Sequence, residues 1–218
     1  MMLASRQWRQ GRLGEILQFG IYRQLGVEMQ DLADRTEKRA PLLHGREAAI
    51  ISPDVNAIKT MRFFIEFKTK SHHEPWGGGS PNDEPKVSAR TEEGIDRDKW
   101  LAYREAETRW RQPVVLSILA IEEGEILAAT LAQLGGPRFS NNPCYDFVSW
   151  DVRAFSSIAL FDLGRLKQFF DDDRASRWLG AMPHPREIDR ILAWLGTRQA
   201  QFNIVRQFIF DQIEHGWT

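Results

Sequence analysis

Cysteine is nearly absent from this chain, since Cys144 is the single one among 218 residues. One thiol excludes an internal disulfide and any zinc or iron–sulfur site built from several cysteines. Long apolar runs are missing too, because the longest, Pro113 to Ile121, is far short of the roughly 20 residues that cross a bilayer. No apolar stretch follows the N-terminal arginines, so no signal peptide is expected. We therefore expect a cytoplasmic protein with no membrane partner.

Net charge is also nearly absent. Lys and Arg number 29 against 30 Asp and Glu, which leaves a formal net charge of −1. Whole-molecule electrostatics therefore give no sign of a nucleic-acid partner, and any such partner must be argued from local features. Between Met1 and Leu25 the charge is uneven, because only Glu15 opposes four arginines there. These four are Arg6, Arg9, Arg12 and Arg23.

The rest of the composition is that of an ordinary globular protein. Apolar residues make up 42% and charged residues 27% of the chain, which excludes disorder as its main state. The length of 218 residues fits one large domain or a domain with an appendage.

Apolar spacing predicts the elements of the N-terminal half. Apolar residues recur at three- and four-residue steps from about Ser5 to Leu25, which predicts a helix that ends near Gly26. Short strands are predicted at residues 48 to 55 and 61 to 70. In the second of these, Phe63, Ile65 and Phe67 fall on one face at period two.

The middle and C-terminal segments alternate in character. Residues 71 to 94 are rich in Gly and Pro and are predicted to form a loop. A helix is predicted at residues 96 to 110 and a buried strand at residues 113 to 121. Residues 125 to 134 favour a paired strand, with a helix as the alternative. Short strands are then expected at 147 to 152 and 158 to 163, before an apolar stripe at helical spacing from Ile188 to Ile209. This order predicts an α/β or α+β domain.

The chemically informative feature combines Pro53-Asp54 with Glu66-Phe67-Lys68. On adjacent strands, Asp54 and Glu66 can bring two carboxylates to one Mg²⁺, which usually takes one or two protein carboxylates plus waters and phosphate oxygens. Lys68 projects from the same strand face as Glu66, where its ammonium can orient a water. The Phe67 side chain points the opposite way, and its carbonyl oxygen is a further candidate ligand. This set of groups suits hydrolysis of a phosphodiester.

An acidic residue two positions before a lysine is a weak signal by itself. The pattern occurs again at Glu84-Pro85-Lys86, in the Gly- and Pro-rich segment that offers no strand. Alone, such a triplet is more often a solvated strand face than a site. Here it lies in an apolar strand, follows a Pro-Asp pair, and is preceded by a helix that carries Glu15, so we favour a site.

Pro53-Asp54 with Glu66-Phe67-Lys68 resembles the PD-(D/E)xK motif of the restriction-endonuclease-like nuclease superfamily. Residues 14 to 17 resemble the helix that supplies an additional acid in many of these nucleases. The segment from residue 94 to 116 is similar to the helix and strand of the resolvase-like and VRR-type branches. The resemblance covers about residues 10 to 135. It implies a mixed central β-sheet flanked by helices, and cleavage of DNA or RNA with Mg²⁺ or Mn²⁺.

The resemblance also implies a role for each site residue. Asp54, Glu66 and Lys68 are the expected catalytic residues. The expected metal ligands are Asp54, Glu66, Glu15 and the carbonyl of Phe67. The candidate nucleic-acid contacts are Lys70, Lys99, Tyr103 and Arg12. A charged helix face is equally well explained as solvated surface. The alternative for Tyr103 is that its ring packs on the sheet.

These observations lead to one expected function and two rivals. We expect a metal-dependent nuclease, a hydrolase of phosphodiester bonds, with DNA favoured over RNA and a homodimer left open. Residues 1–135 form the expected nuclease core, and residues 136–218 a C-terminal extension, mixed and then helical, packed on it. The alternative is a catalytically inactive nuclease-fold module that binds nucleic acid or a protein partner. A hydrolase of small phosphate esters is a third interpretation.

Overall fold

The fold is seen in a computed structural model that describes residues 2–27, 29–31, 55–57, 63–71, 74–75, 91–139, 147–180 and 182–199. Within these ranges, the strands form a seven-stranded sheet and a four-stranded sheet. None of the helices in the described ranges is long and apolar enough to cross a membrane.

The larger sheet is mixed. Its strands, in spatial order, are β1 (Met29–Asp31), β2 (Val55–Ala57), β3 (Phe63–Lys70), β6 (Val114–Ala120), β7 (Glu125–Thr130), β10 (Ser156–Leu160) and β11 (Arg198–Gln199). β3 and β6 pair in parallel, and every other neighbouring pair is antiparallel. A mixed central sheet of an α/β fold is thereby confirmed.

The smaller sheet is antiparallel. Its strands, in spatial order, are β4 (Glu74–Pro75), β5 (Thr91–Asp96), β9 (Phe147–Asp151) and β8 (Arg138–Phe139). The prediction of one continuous loop over residues 71 to 94 is wrong at β4 and at the start of β5. Most of these residues are Glu, Gly or Pro, which have weak strand propensity, and β5 is a strand because it pairs with the apolar strand β9.

Five α-helices and two 3₁₀ helices are found in the described ranges. The α-helices are α1 (Met2–Gln24), α2 (Arg97–Trp110), α3 (Leu131–Leu134), α4 (Leu163–Asp171) and α5 (Pro185–Trp194); the 3₁₀ helices span Val152–Ala154 and Asp173–Trp178. The turn after α1 contains Gly26 at a φ of 81°, a conformation that glycine adopts readily. The helices predicted at 5 to 25 and 96 to 110 are confirmed, as is the strand predicted at 113 to 121.

Hydrophobic side chains pack on both faces of the larger sheet. On one face, Phe63, Ile65 and Phe67 of β3 pack in the core formed with α1, α4 and α5. On the other face, Phe64 packs in a second core with Tyr103 of α2 and with side chains of the smaller sheet. This alternation along β3 confirms the predicted period of two. Since β3 is covered on both sides, any polar side chain on it needs a partner or an opening.

Close packing of α1 depends on two of its glycines. A Cβ atom at Gly14 would overlap the side chain of Thr69 in β3, and one at Gly20 would overlap Ile188 of α5. These two glycines therefore let α1 approach β3 and α5 closely.

Residues beyond 135 take part in both sheets. They supply β8 and β9 to the smaller sheet and β10 and β11 to the larger one, while α5 packs on α1. The predicted helical tail is confirmed at α5 but is wrong at Arg198–Gln199, which form β11 because they pair with β10. The apolar positions from residue 202 to 209 lie outside the described residues. The boundary proposed at residue 135 stays a prediction.

Candidate active site

A buried acid and a lysine lie side by side on β3. Glu66 is 2% exposed, and its Oε1 forms an ion pair with Nζ of Lys68, two residues further along the strand. The other carboxylate oxygen of Glu66, Oε2, is buried and accepts no hydrogen bond within the described part of the chain. A buried carboxylate oxygen without a donor is unfavourable, and a cation or a bound water would stabilise it.

Glu15 of α1 belongs to the same electrostatic environment. Its Oε2 accepts a hydrogen bond of 2.9 Å from Nη1 of Arg12, one turn earlier in the helix. Burial raises the pKa of Glu15, while the hydrogen bond and charge of Arg12 lower it. The negative charge of Glu66 raises this pKa further and the positive charge of Lys68 lowers it. The helix therefore places Glu15 within electrostatic reach of both motif residues on β3.

Asp54, the third predicted catalytic residue, lies outside the described residues. Val55, which follows it in sequence, pairs with Ile65, which precedes Glu66. The predicted role of Asp54 stays a prediction.

Phe67, the predicted carbonyl ligand, has its ring in the core. The ring centroid lies 5.8 Å from that of Tyr22. This placement agrees with the expected inward direction of the side chain, and the role of the carbonyl stays a prediction.

The donor set suits a hard cation such as Mg²⁺. No group of three or more His, Cys, Asp or Glu side chains able to hold a metal is found within the described ranges. The carboxylates in the described part of the candidate site are Glu15 and Glu66. Mg²⁺ usually takes one or two protein carboxylates, with waters and substrate oxygens completing its shell. The unpartnered Oε2 of Glu66 is the position at which such an ion would relieve an unfavourable burial.

The predicted nucleic-acid contacts have mixed surroundings. Lys70 forms an ion pair of 3.0 Å with the buried Glu93 of β5, and its Nζ lies 5.1 Å from the centroid of the Phe147 ring. Only 18% of the Lys70 side chain is exposed. The ammonium of Lys70 thus has an internal partner in the smaller sheet and helps to join the two sheets.

The other three predicted contacts differ in exposure. Lys99 is partly exposed and lies 3.4 Å from Oδ2 of Asp96. Arg12 is partly exposed and pairs with Glu15. Tyr103 is fully buried in the second core, where it offers no surface to nucleic acid. This position agrees with the alternative that Tyr103 packs on the sheet.

Gln18 is a residue of the site that sequence reasoning missed. It is fully buried, its Nε2 donates to the carbonyl oxygen of Lys68 at 2.9 Å, and its Oε1 accepts from Oγ of Ser117 at 2.8 Å. Gln18 therefore joins α1 to β3 and β6 at the position of the motif lysine. The available signal was a lone amide between the apolar residues Leu17 and Phe19 of the first helix.

Comparison with known proteins gives little further guidance. No protein-family model matches this chain, and no curated protein matches it in sequence. Among solved structures it is similar to Hjc, a Holliday junction resolvase from the archaeal hyperthermophile Archaeoglobus fulgidus, with a TM-score of 0.31 and 8% sequence identity. The match covers 48% of this chain and 65% of the resolvase. A likeness of this size is no evidence for a shared activity.

Proposed function

We propose that this chain is a metal-dependent phosphodiesterase. More specifically, we propose a nuclease of the PD-(D/E)xK type that hydrolyses phosphodiester bonds in nucleic acid, with DNA placed ahead of RNA as the substrate. The observation that carries the proposal is the pairing of Glu66 with Lys68 on β3, beside an unpartnered and buried oxygen of the same carboxylate.

The carboxylates Glu66 and Asp54 are the proposed metal ligands, with Glu15 and the carbonyl of Phe67 in support. When bound, Mg²⁺ or Mn²⁺ would supply Lewis-acid stabilisation of charge that develops on the phosphate and would lower the pKa of a bound water. Burial favours this use of Glu66, because electrostatic interactions are stronger where water is excluded.

Lys68 is proposed to position the attacking water. Its ammonium is held beside Glu66 by the ion pair, and its main-chain carbonyl is held by Gln18. A cation with a fixed backbone can hold a water in one orientation, which lowers the entropic cost of attack on the phosphorus.

A cleavage panel tests the proposal. The purified chain is incubated with plasmid, linear duplex, single-stranded DNA, branched DNA and RNA, each with Mg²⁺, with Mn²⁺ and with a chelator. We expect cleavage of at least one DNA substrate with either metal and none with the chelator. Lys68→Ala and Asp54→Asn are each expected to abolish it.

The chain itself offers a matched control. Lys86 ends the second acid-x-Lys triplet of the sequence, so Lys86→Ala removes the same kind of residue from the same local pattern. This variant is expected to cut as the unmodified protein does. Undiminished cutting by both Lys68→Ala and Asp54→Asn would contradict the assigned roles.

A second candidate is a nuclease-fold module that binds nucleic acid or a protein without cutting. It is favoured by the charge balance of the described site, since Arg12 pairs with Glu15 and Lys68 pairs with Glu66. A site neutralised by its own side chains has a weaker demand for a metal ion. Binding of a substrate in the panel without cleavage in any metal, and without a rise of Tm on addition of Mg²⁺, would support this candidate.

A further inference from the structure

A pocket of about 480 Å³ lies between α4, the 3₁₀ helix Asp173–Trp178, and α5. This volume falls within the range of about 300–1,000 Å³ that is typical of small-molecule sites. Three of its lining residues are buried and apolar: Phe169, Ala175 and Ile191. The pocket therefore has an apolar floor, and none of the residues assigned to the candidate active site lines it.

Two tryptophans line the pocket, and they differ in their contacts and exposure. The ring of Trp178 stacks on that of Phe169 with centroids 5.8 Å apart, and the guanidinium of Arg177 lies 4.6 Å from the centroid of the Trp178 ring. Trp194 is 43% exposed, and no other aromatic ring or cation stacks on it among the described residues. The indole of Trp194 is thus available to a planar ligand.

The charged residues of the lining are three arginines and two acids, which leaves a formal excess of one positive charge. Arg174 pairs with Asp172 at 3.0 Å, and Arg177 pairs with Glu187 at 2.8 Å. Arg190, which also lines the pocket, has no ion-pair partner in the described part of the chain. An exposed indole beside an unpaired guanidinium is suited to a planar ring that carries a nearby anion.

The pocket is close to the proposed catalytic site along α1. Arg9 donates a hydrogen bond to the main-chain oxygen of Asp172, at the rim of the pocket. Glu15 lies six residues further along the same helix, which is on the order of 9 Å along the helix axis. This distance is short enough for one polynucleotide strand to contact both the pocket and the candidate active site.

We propose that this pocket binds one nucleotide of a single-stranded stretch of nucleic acid, with the base stacked on Trp194 and a neighbouring phosphate on Arg190. Aromatic stacking combined with basic side chains is how proteins bind single strands without reading their sequence. The proposal rests on the proposed nuclease function, and it assigns the C-terminal helices the task of holding the strand beside the site.

Fluorescence anisotropy with a labelled 16-nucleotide oligo-dT, the full chain and a chelator tests the proposal without cleavage. Trp194→Ala is expected to raise the Kd about tenfold, and Trp194→Phe is expected to restore most of the affinity because it keeps an aromatic face. Arg190→Ala is expected to reduce the slope of log Kd against log salt by about 0.7, the value for one phosphate contact on a single strand. Arg198→Ala, an exposed arginine outside the pocket lining, is the matched control and is expected to bind normally.

An abasic oligonucleotide of the same length separates stacking from phosphate binding. We expect Trp194→Ala to change its Kd little, since the probe has no bases to stack. If Trp194→Ala lost the same amount of affinity for the abasic probe as for oligo-dT, the assignment of a nucleotide site would be overturned. Circular dichroism shows whether Trp194→Ala is folded. If it is unfolded, the salt slope of Arg190→Ala, and the difference in Kd between the two probes on the unmodified chain, test the nucleotide site.

The outcomes separate this proposal from the proposed function. Normal binding of oligo-dT by both Trp194→Ala and Arg190→Ala would overturn the pocket even if the unmodified chain cuts DNA. Binding that depends on both residues, in a chain that cuts no substrate with any metal, would support the pocket and overturn the nuclease.

Discussion

The side-chain amide of Gln18 donates a hydrogen bond of 2.9 Å to the main-chain carbonyl of Lys68, 50 residues away in sequence. The same amide accepts the hydroxyl hydrogen bond of Ser117 at 2.8 Å, in a fully buried position. One polar side chain of the first helix therefore fixes the backbone of the motif lysine against two strands. This arrangement stabilises the fold and the site together.

Replacement of Gln18 by leucine is expected to lower the free energy of unfolding by about 1–3 kcal/mol. In this variant the carbonyl of Lys68 and the hydroxyl of Ser117 each lose the hydrogen bond to Gln18. Both groups stay buried, so water does not replace the lost partner. Urea unfolding followed by circular dichroism measures the change. Gln7→Leu, at an exposed position of the same helix, is the control and is expected to cost less than about 0.5 kcal/mol. Equal losses in the two variants would contradict a special role for Gln18.

The ion pair of Glu66 and Lys68 predicts a coupled effect on stability. Lys68→Ala leaves the charge of Glu66 buried without its cation, and loss of one partner of a buried pair costs about 3–5 kcal/mol. Because 24% of the Lys68 side chain is exposed, we expect a cost at or below the lower limit of that range. In a Glu66→Gln background the same change is expected to cost less than about 1 kcal/mol. Urea unfolding of the four proteins gives the coupling energy, and additive effects would show that the pair is not energetically linked.

The raised pKa of Glu15 predicts that the ionised carboxylate lowers the stability of the fold at neutral pH. Since burial raises this pKa above its ordinary value, the folded chain binds the proton more tightly than the unfolded chain does. The stability that Glu15 contributes is complete below the unfolded pKa and is lost as pH rises through the folded pKa. Glu15→Gln is therefore expected to be more stable than the unmodified protein at pH 7, with a difference that shrinks toward pH 4. Thermal unfolding across this pH range, in the presence of a chelator, measures it.

A control for the Glu15 prediction removes the same charge from the surface. Glu105 is exposed on α2, so Glu105→Gln is expected to leave the stability profile close to that of the unmodified protein. A Glu15→Gln variant that is less stable than the unmodified protein at pH 7 would show that the contact with Arg12 outweighs burial.

Two glycines of α1 are expected to respond in opposite directions to alanine. A Cβ atom at Gly14 would overlap the side chain of Thr69, so Gly14→Ala is expected to destabilise the fold by about 1–3 kcal/mol and to lower activity by moving the helix. At Gly11 a Cβ atom would meet nothing within 4 Å. Gly11→Ala is therefore expected to raise stability by up to about 1 kcal/mol through helix propensity. Thermal unfolding measures both, and a stabilising Gly14→Ala would contradict the close approach of α1 to β3.

Local patterns predicted the elements whose form depends on their own residues. Short-range backbone geometry alone explains two of these patterns. They are the alternation of apolar residues from Phe63 to Lys70 and the helical spacing from Arg97 to Trp110. The strand β5 was missed because Glu92 and Gly94 have weak strand propensity, and their pairing with Asp151 and Ser149 is a long-range contact.

The sequence by itself determined that Glu66 and Lys68 share one face of a strand, because side chains alternate along any extended backbone. Only the tertiary structure decided which groups surround them. It brought Glu15 and Gln18 to this strand through the packing of α1, and it turned Lys70 to Glu93 of the smaller sheet. Such contacts depend on the relative placement of elements far apart in the chain, and this placement follows from burial of the shared cores, which no local pattern encodes.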